Sequence, residues 1–292
     1  MSRKATLMLA VLGLLALLAG CRGDPTTVMT RLEESRRVVA TLRLDFQQMA
    51  DASNRAVMAN SEEASAAAAR ESQAATSAVE KDAAKLAELL QGLSYANEAG
   101  VLSEFKARFS EYKALDTRIV NLAVENTNLK AQALAFGPAS EAAGVFAASL
   151  DAARSRLPSK ALDRAELLIA QALLAVREIQ VLHAPHIAER DEATMARMEK
   201  QMLELDAKAR TALTALTALA SEEARPALTD ALAALDRFKA TSARIIELSR
   251  RNTNVLALDL SLRQKPALVA ACNRPLVALQ AALALEGPKS SR

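Results

Sequence analysis

Tyr112-Lys113 is followed by Arg118-Ile119, Leu122 and Asn126-Thr127-Asn128, and 126 residues later the same order returns as Phe238-Lys239, Arg244-Ile245, Leu248 and Asn252-Thr253-Asn254. A second match sets Glu62-Glu63-Ala64-Ser65 against Asp191-Glu192-Ala193-Thr194 at an offset of 129. A chain that repeats at long period is built from copies of one supersecondary unit, so the fold must be a doubled object. The copies run over 27–157 and 158–287, followed by a short tail, 288–292. The small change in offset is placed in the loop between Gly92 and Gly100.

The content of each copy is helical. Aromatic residues are only 3% of the chain, and the apolar residues are mostly Ala and Leu. Strands favour β-branched and aromatic side chains, whereas Ala, Leu, Glu, Arg and Lys favour helices. Phe105, Phe109, Tyr112, Ile119, Leu122, Leu129 and Phe136 recur at helical spacing, as do Val79, Leu86, Leu90 and Leu93. Strong breaks at Gly92–Gly100, Leu157-Pro158-Ser159 and Ser221–Pro226 leave four segments of near-equal length: 27–92, 100–157, 159–220 and 222–287. The expected fold is therefore all-α: an elongated up-down-up-down antiparallel four-helix bundle made of two tandem repeats. Weaker breaks at Asn60-Ser61, Gly137-Pro138, Pro185 and Pro266 fall near mid-segment. They point to two stacked modules with mid-helix breaks.

The first residues read as an address. Arg3 and Lys4 precede an uncharged run of 16 residues, Ala5 to Gly20, and then Cys21. At 1.5 Å per residue the run spans roughly 24 Å, which suits a secretory signal better than a membrane span. Leu18-Ala19-Gly20-Cys21 resembles a bacterial lipobox. That resemblance implies cleavage after residue 20, acylation of Cys21, a linker over 21–26 and a chain anchored by lipid, facing the periplasm. Arg22 follows the cysteine where Asp commonly retains enterobacterial lipoproteins in the inner membrane, so the outer membrane is the expected address. An ordinary signal peptide that happens to end in Cys is the plainer alternative.

Loss of Arg3 and Lys4 lowers the formal charge from +3 to +1, and no basic stripe of the kind that holds nucleic acid is evident. No later apolar stretch reads as long enough to span a membrane. Cys272 reads as a small buried filler, and Met195, Met198 and Met202 as core filling beside Leu205.

The duplicated Tyr/Phe-Lys, Arg-Ile and Asn-Thr-Asn helices, the mid-level breaks and the length resemble the periplasmic four-helix-bundle sensor domains of bacterial chemoreceptors and sensor kinases, in particular the helical bimodular type. That resemblance covers nearly all of 27–287 and implies a non-enzymatic, sensor-like binding role. The ligand it implies is a small organic or amino acid, held between helices or across a homodimer interface. This sequence shows no second span and no cytoplasmic signalling helices, so any sensed state must pass to a receptor or envelope partner. A structural envelope spacer without ligand is the alternative from a different class.

Counting from the turns places Glu62, Glu63, Asn126, Asp191, Glu192 and Asn252 at one level, with Arg118 and Arg244 two turns away. Glu62, Asp191 and both Asn residues are expected near the inner face. Two readings stand for this set: a pocket that grips a small carboxylate, or a buried polar layer that fixes register. His183 and His186 form the sole histidine pair and a weak candidate for a metal. Pro185 between them, and the lack of any Glu-x-x-His repeat, argue instead for a kink beside part-exposed imidazoles. No cofactor is expected.

Overall fold

The computed structural model describes residues 25–286. The signal, Cys21 and the tail 288–292 lie outside the described residues. Within them the protein is all-α, with no strand. In chain order the helices are α1 (Pro25–Met58), α2 (Glu62–Gly92), α3 (Ala96–Glu125), α4 (Thr127–Leu134), α5 (Ser140–Arg154), α6 (Leu162–Ala188), α7 (Glu192–Leu219), α8 (Arg225–Arg251), α9 (Thr253–Arg263) and α10 (Lys265–Leu285). A π-helical turn, Ala135–Ala139, joins α4 to α5, and a 3₁₀ turn, Ser159–Ala161, precedes α6.

The first half of each repeat departs from the expected rod. Arg31 donates to the Gly92 carbonyl at 3.2 Å, and Lys85 meets Glu34 at 2.6 Å. In a through-going helix residues 31 and 92 would stand about 90 Å apart. The break at 59–61 is therefore a full reversal, and α1 and α2 form an antiparallel hairpin. The same holds at 189–191, because Ser221, after α7, donates to the Arg156 carbonyl at 2.9 Å, before α6. Pro185 does not kink a long segment; it sits in the last turn of α6, where the helix is about to end, and leaves the Val181 carbonyl without its i+4 N–H. Each reversal is followed by a cap. Ser61 Oγ accepts from Ala64 N–H at 3.1 Å, and Asp191 Oδ1 from Thr194 N–H at 2.8 Å. At Gly92 a Cβ would lie 2.7 Å from Arg31 Nη1, so a larger residue there would make the end of the Arg31 side chain shift.

The second half of each repeat stays helical over a much longer stretch, with Ala96–Arg154 reaching 59 residues. Each is interrupted at an Asn. Asn126 has φ 53° and ψ 36°, and Asn252 has φ 53° and ψ 35°, both left-handed. The expected break at Gly137-Pro138 is the π turn, and Pro266 sits in the first turn of α10, where proline is tolerated.

The described residues form two compact units: unit 1 from 25–53, 69–116 and 264–286, and unit 2 from 54–68 and 117–263. Unit 1 centres on Phe46, whose ring meets those of Tyr112, Phe105 and Phe109 edge-on at 5.1, 6.2 and 6.3 Å. Leu86 and Leu90 of α2 and Cys272, Leu276, Leu279 and Leu283 of α10 complete this core. Arg36 closes the end of α10 by donating to the Leu283 and Glu286 carbonyls, each at 2.7 Å. Unit 2 packs α6 on α7 and α5 on α8 around Phe146, Leu150, Met202, Leu205 and Phe238. Met195 is buried and Met198 packs on the same core.

By length and composition Ala96–Arg154, Ser159–Ala188 and Lys265–Leu285 are apolar enough to cross a membrane, which corrects the reading that no later stretch is. Their Ala and Leu content makes them apolar, while rows such as Phe146-Leu150-Ala153 and Leu276-Leu279-Leu283 are buried against other helices.

The left-handed asparagines give a direct test. Asn126→Gly and Asn126→Ala lose the same amide, but only Ala carries the Cβ that crowds a positive φ. Urea unfolding of the two variants is expected to place Asn126→Ala below Asn126→Gly by about 1 kcal/mol. Equal stability would mean that the backbone there is not held left-handed.

Candidate functional site

In unit 2 the two Asn-Thr-Asn stretches lie side by side and exchange hydrogen bonds reciprocally. Thr127 N–H donates to Thr253 Oγ1 at 3.3 Å, and Thr253 N–H donates to Thr127 Oγ1 at 3.1 Å. Asn128 N–H and Asn254 N–H each donate to the other's Oδ1 at 3.1 Å. Just outside, Arg251 pairs with Glu125 at 2.6 Å. The break at each left-handed Asn leaves the N–H groups of a new first turn without helical partners, and these exchanges satisfy them. The amides are used as well. Asn128 Nδ2 donates to Asn252 Oδ1 at 2.8 Å and to the Ile187 carbonyl at 2.6 Å, and Asn252 Nδ2 donates to the Glu189 carbonyl at 2.6 Å. Asn254 Nδ2 donates to Asn126 Oδ1 at 3.2 Å. This layer is closed on itself and also finishes the end of α6.

The charged residues expected around it are elsewhere. Glu62 pairs with Lys130 at the surface, and Glu63 and Glu192 are exposed. Asp191 is the exposed cap of α7. These four carboxylates open helices just after chain reversals, where acidic side chains face water and the N-terminal N–H groups; they do not face inward. Arg118 is exposed, and Arg244 pairs with Glu247 within its own helix. The structure thus joins Asn126 and Asn252 and separates both from the carboxylates and arginines.

The histidines are buried, not part-exposed. His183 Nε2 meets Ser242 Oγ at 3.1 Å. His186 Nδ1 meets Ser249 Oγ at 2.6 Å and its Nε2 meets Glu199 at 2.9 Å. Arg250 holds both oxygens of Glu199, at 2.7 and 2.8 Å, and keeps its carboxyl below the usual range. Among the described residues no three His, Cys, Asp or Glu side chains gather as a metal set. Ser249, His186 and Glu199 have the connectivity of an acyl-transfer triad, but Ser249 and His186 are 0% exposed. What the arrangement does here is tie α6, α7 and α8 together. Ser242 and Ser249 were missed in the sequence, although two small polar residues one heptad apart on a seam were a readable signal.

Unit 1 holds a second buried network. Lys265 Nζ lies 3.1 Å from Asp116 Oδ1 and donates to the Ala50 carbonyl at 3.0 Å. Tyr112 and Ser72 hydroxyls donate to Asp116 at 3.0 and 3.3 Å. Burial pushes the Lys265 ammonium below its ordinary range, against the pull of Asp116. Burial and then Asp116 push the Tyr112 phenol far up. Cys272, in the same core, has its thiol pushed up to about 12 by burial, which leaves it unreactive.

An open cleft of about 330 Å³ borders the π turn. Its polar groups are Arg177, Gln132, Gln180 and Ser140; Ile187, Ala184 and the face of His183 form the floor, and exposed Phe136 the rim. Arg177 is oriented by a bond to Gln180 Oε1 at 3.3 Å. A single π turn is an irregularity often found at functional sites, and one cation among amides and apolar carbons suits a small amphipathic anion. No protein-family model matches this chain, and no curated protein is significantly similar to it.

Two outcomes follow from the buried groups. Lys265→Met leaves Asp116 charged without its cation and is expected to cost about 3–5 kcal/mol in urea unfolding, with much of it regained in Lys265→Met/Asp116→Leu. His183, whose pKa is lowered to about 4 by burial and then by His186, refuses a proton that the unfolded chain accepts near 6.5. Its contribution is complete above pH 6.5 and is lost as pH falls towards 4, a drop of about 3 kcal/mol. His183→Gln is expected to flatten the stability profile in that window; an unchanged slope would assign it to other groups.

Proposed function

We propose that this chain is a lipid-anchored, periplasm-facing, non-catalytic binding protein of the sensor-like helical type. The reading makes it two tandem repeats assembled as antiparallel four-helix modules, attached through Cys21 to the outer membrane. It recognises a small organic or amino acid and reports to a receptor or envelope partner. The observation that carries this is the π-turn cleft, where Arg177 stands beside Gln132, Gln180 and Ser140 over an apolar floor. Support for the doubled plan comes from the Asn-Thr-Asn stretches, which sit 126 residues apart in the sequence and exchange the same hydrogen bonds in both directions.

A second reading, the ligand-free envelope spacer, is favoured by the Asn-Thr-Asn layer, whose backbone N–H groups are spent on one another and whose amides bond within the protein. Thermal shift against a panel of short organic and amino acids separates the two. A bound ligand at 100 times its Kd adds about 2.7 kcal/mol of stability, and the expected upward shift disappears in Arg177→Ala while surviving in Asn126→Gly. No shift across the panel decides for the spacer. Labelling with radioactive palmitate, lost in Cys21→Ser, tests the anchor separately.

A further inference from the structure

His183 is only 2% exposed, yet it lines the π-turn cleft. Its Nε2 meets Ser242 Oγ at 3.1 Å, and its Nδ1 has no partner in the chain. Nδ1 is not sealed off either. Among the described residues, the enclosed side-chain polar atoms without a partner are Ser53 Oγ and Asn273 Oδ1. Nδ1 is therefore a polar atom of a buried side chain that opens into the cleft. Burial and then His186 keep the ring neutral, so it carries a single N–H, placed according to what the other nitrogen meets. Ser242 Oγ has no further bond, unlike Ser249 Oγ, which donates to the Ile245 carbonyl. The Ser242 hydroxyl can thus donate to Nε2, which puts the ring proton on Nδ1. Arg177 Nη1 donates to Gln180 Oε1 at 3.3 Å, and Gln180 and His183, three residues apart on α6, are neighbours on its surface. Guanidinium, amide and imidazole follow one another along one wall.

We propose that the π-turn cleft selects small monocarboxylates with an uncharged apolar body, and that His183 grips the carboxylate beside Arg177 by donating from Nδ1. The inference rests on the reading of the cleft as a ligand site and narrows its organic or amino acids to the former. A carboxylate is an acceptor on both oxygens, and a charge-assisted bond to each is stronger than a neutral one. A neutral imidazole supplies the second donor without setting a second positive charge beside Arg177 when the cleft is empty. The lining also says what is refused. It contains no Asp or Glu, so an α-amino acid would bring an ammonium into a cleft that already holds a cation and has no anion to answer it. A dicarboxylate would find no second cation, since Arg177 is the one charged residue of the lining. The body of the ligand meets Ala135, Phe136, Val181, Ala184 and Ile187, and about 330 Å³ is at the small end of ligand sites.

The test titrates the full chain with matched compounds. Isocaproate and hydrocinnamate are the carboxylates, leucine and phenylalanine are the same skeletons with an ammonium added, and isocaproamide is the uncharged mimic. Both carboxylates are expected to bind, and the other three at least about tenfold more weakly. The chain has two histidines, so nitrogen-15 labelling of histidine gives two rings, with His183→Gln assigning them. Bound isocaproate is expected to leave the His183 ring neutral with its proton on Nδ1, and to move that N–H while the His186 signals stay in place. His183→Phe/Ser242→Ala removes both partners of the buried bond together. It is expected to keep its helical content and to bind isocaproate at least about tenfold more weakly. The inference is overturned if an amino acid binds as tightly as its carboxylate counterpart, if Nδ1 is unprotonated or unmoved in the complex, or if the double variant binds like the parent. Those results leave the cleft standing as a ligand site wherever binding is still lost in Arg177→Ala. Silence from all five compounds overturns both.

Discussion

A helix that stops and restarts inside a packed interior leaves N–H groups that nothing in its own backbone can satisfy. At Thr127 and Thr253 the two interruptions satisfy each other, hydroxyl to amide in both directions. That solution works only if both interruptions fall at the same level and present the same side chains. It accounts for the Asn-Thr-Asn stretch being identical in the two repeats, while the residues immediately before it differ, Glu125 in one and Arg251 in the other. A left-handed Asn is what allows it: the residue turns the backbone once, at little cost for its type, and brings the next N–H groups to face their counterparts. Register in unit 2 is set by this contact, because sliding either helix by one residue would bury four unsatisfied N–H groups.

The helical content and the pairing of the Asn stretches were legible in the sequence because each depends on spacing along one dimension. The reversals at 59–61 and 189–191 were not. Asn60-Ser61 and Pro185 interrupt helical hydrogen bonding equally well whether the chain then bends slightly or turns back. The choice is made by what lies opposite, here Arg31 on Gly92 and Glu34 on Lys85, which spacing alone does not encode. The same blindness placed Glu62 and Asp191 near the inner face. Acidic residues beside a mid-helix break read as a polar layer, but beside a reversal they read as the first turn of a new helix. The π-turn cleft was half visible: Gly137-Pro138 marked an irregularity, but nothing in the spacing said that Arg177 and Gln180 would be its neighbours.

The two units handle buried polarity in different ways at positions that match at an offset of 126. Tyr112 and Asp116 of the first repeat correspond to Phe238 and Ser242 of the second, and Lys265 of the second corresponds to Ala139 of the first. In unit 1 the phenol, carboxylate and ammonium are all present; in unit 2 all three have been replaced. That is the pattern expected when a buried charge is tolerable only with its partner, since a lone survivor of the set would cost several kcal/mol. Ser242, freed of a cation to answer, is matched instead by neutral His183. The lysine is supplied by one repeat and its carboxylate by the other, so neither repeat carries a complete network alone. The two halves of the chain therefore depend on each other for this network, as pairing of the Asn-Thr-Asn stretches requires of the backbone.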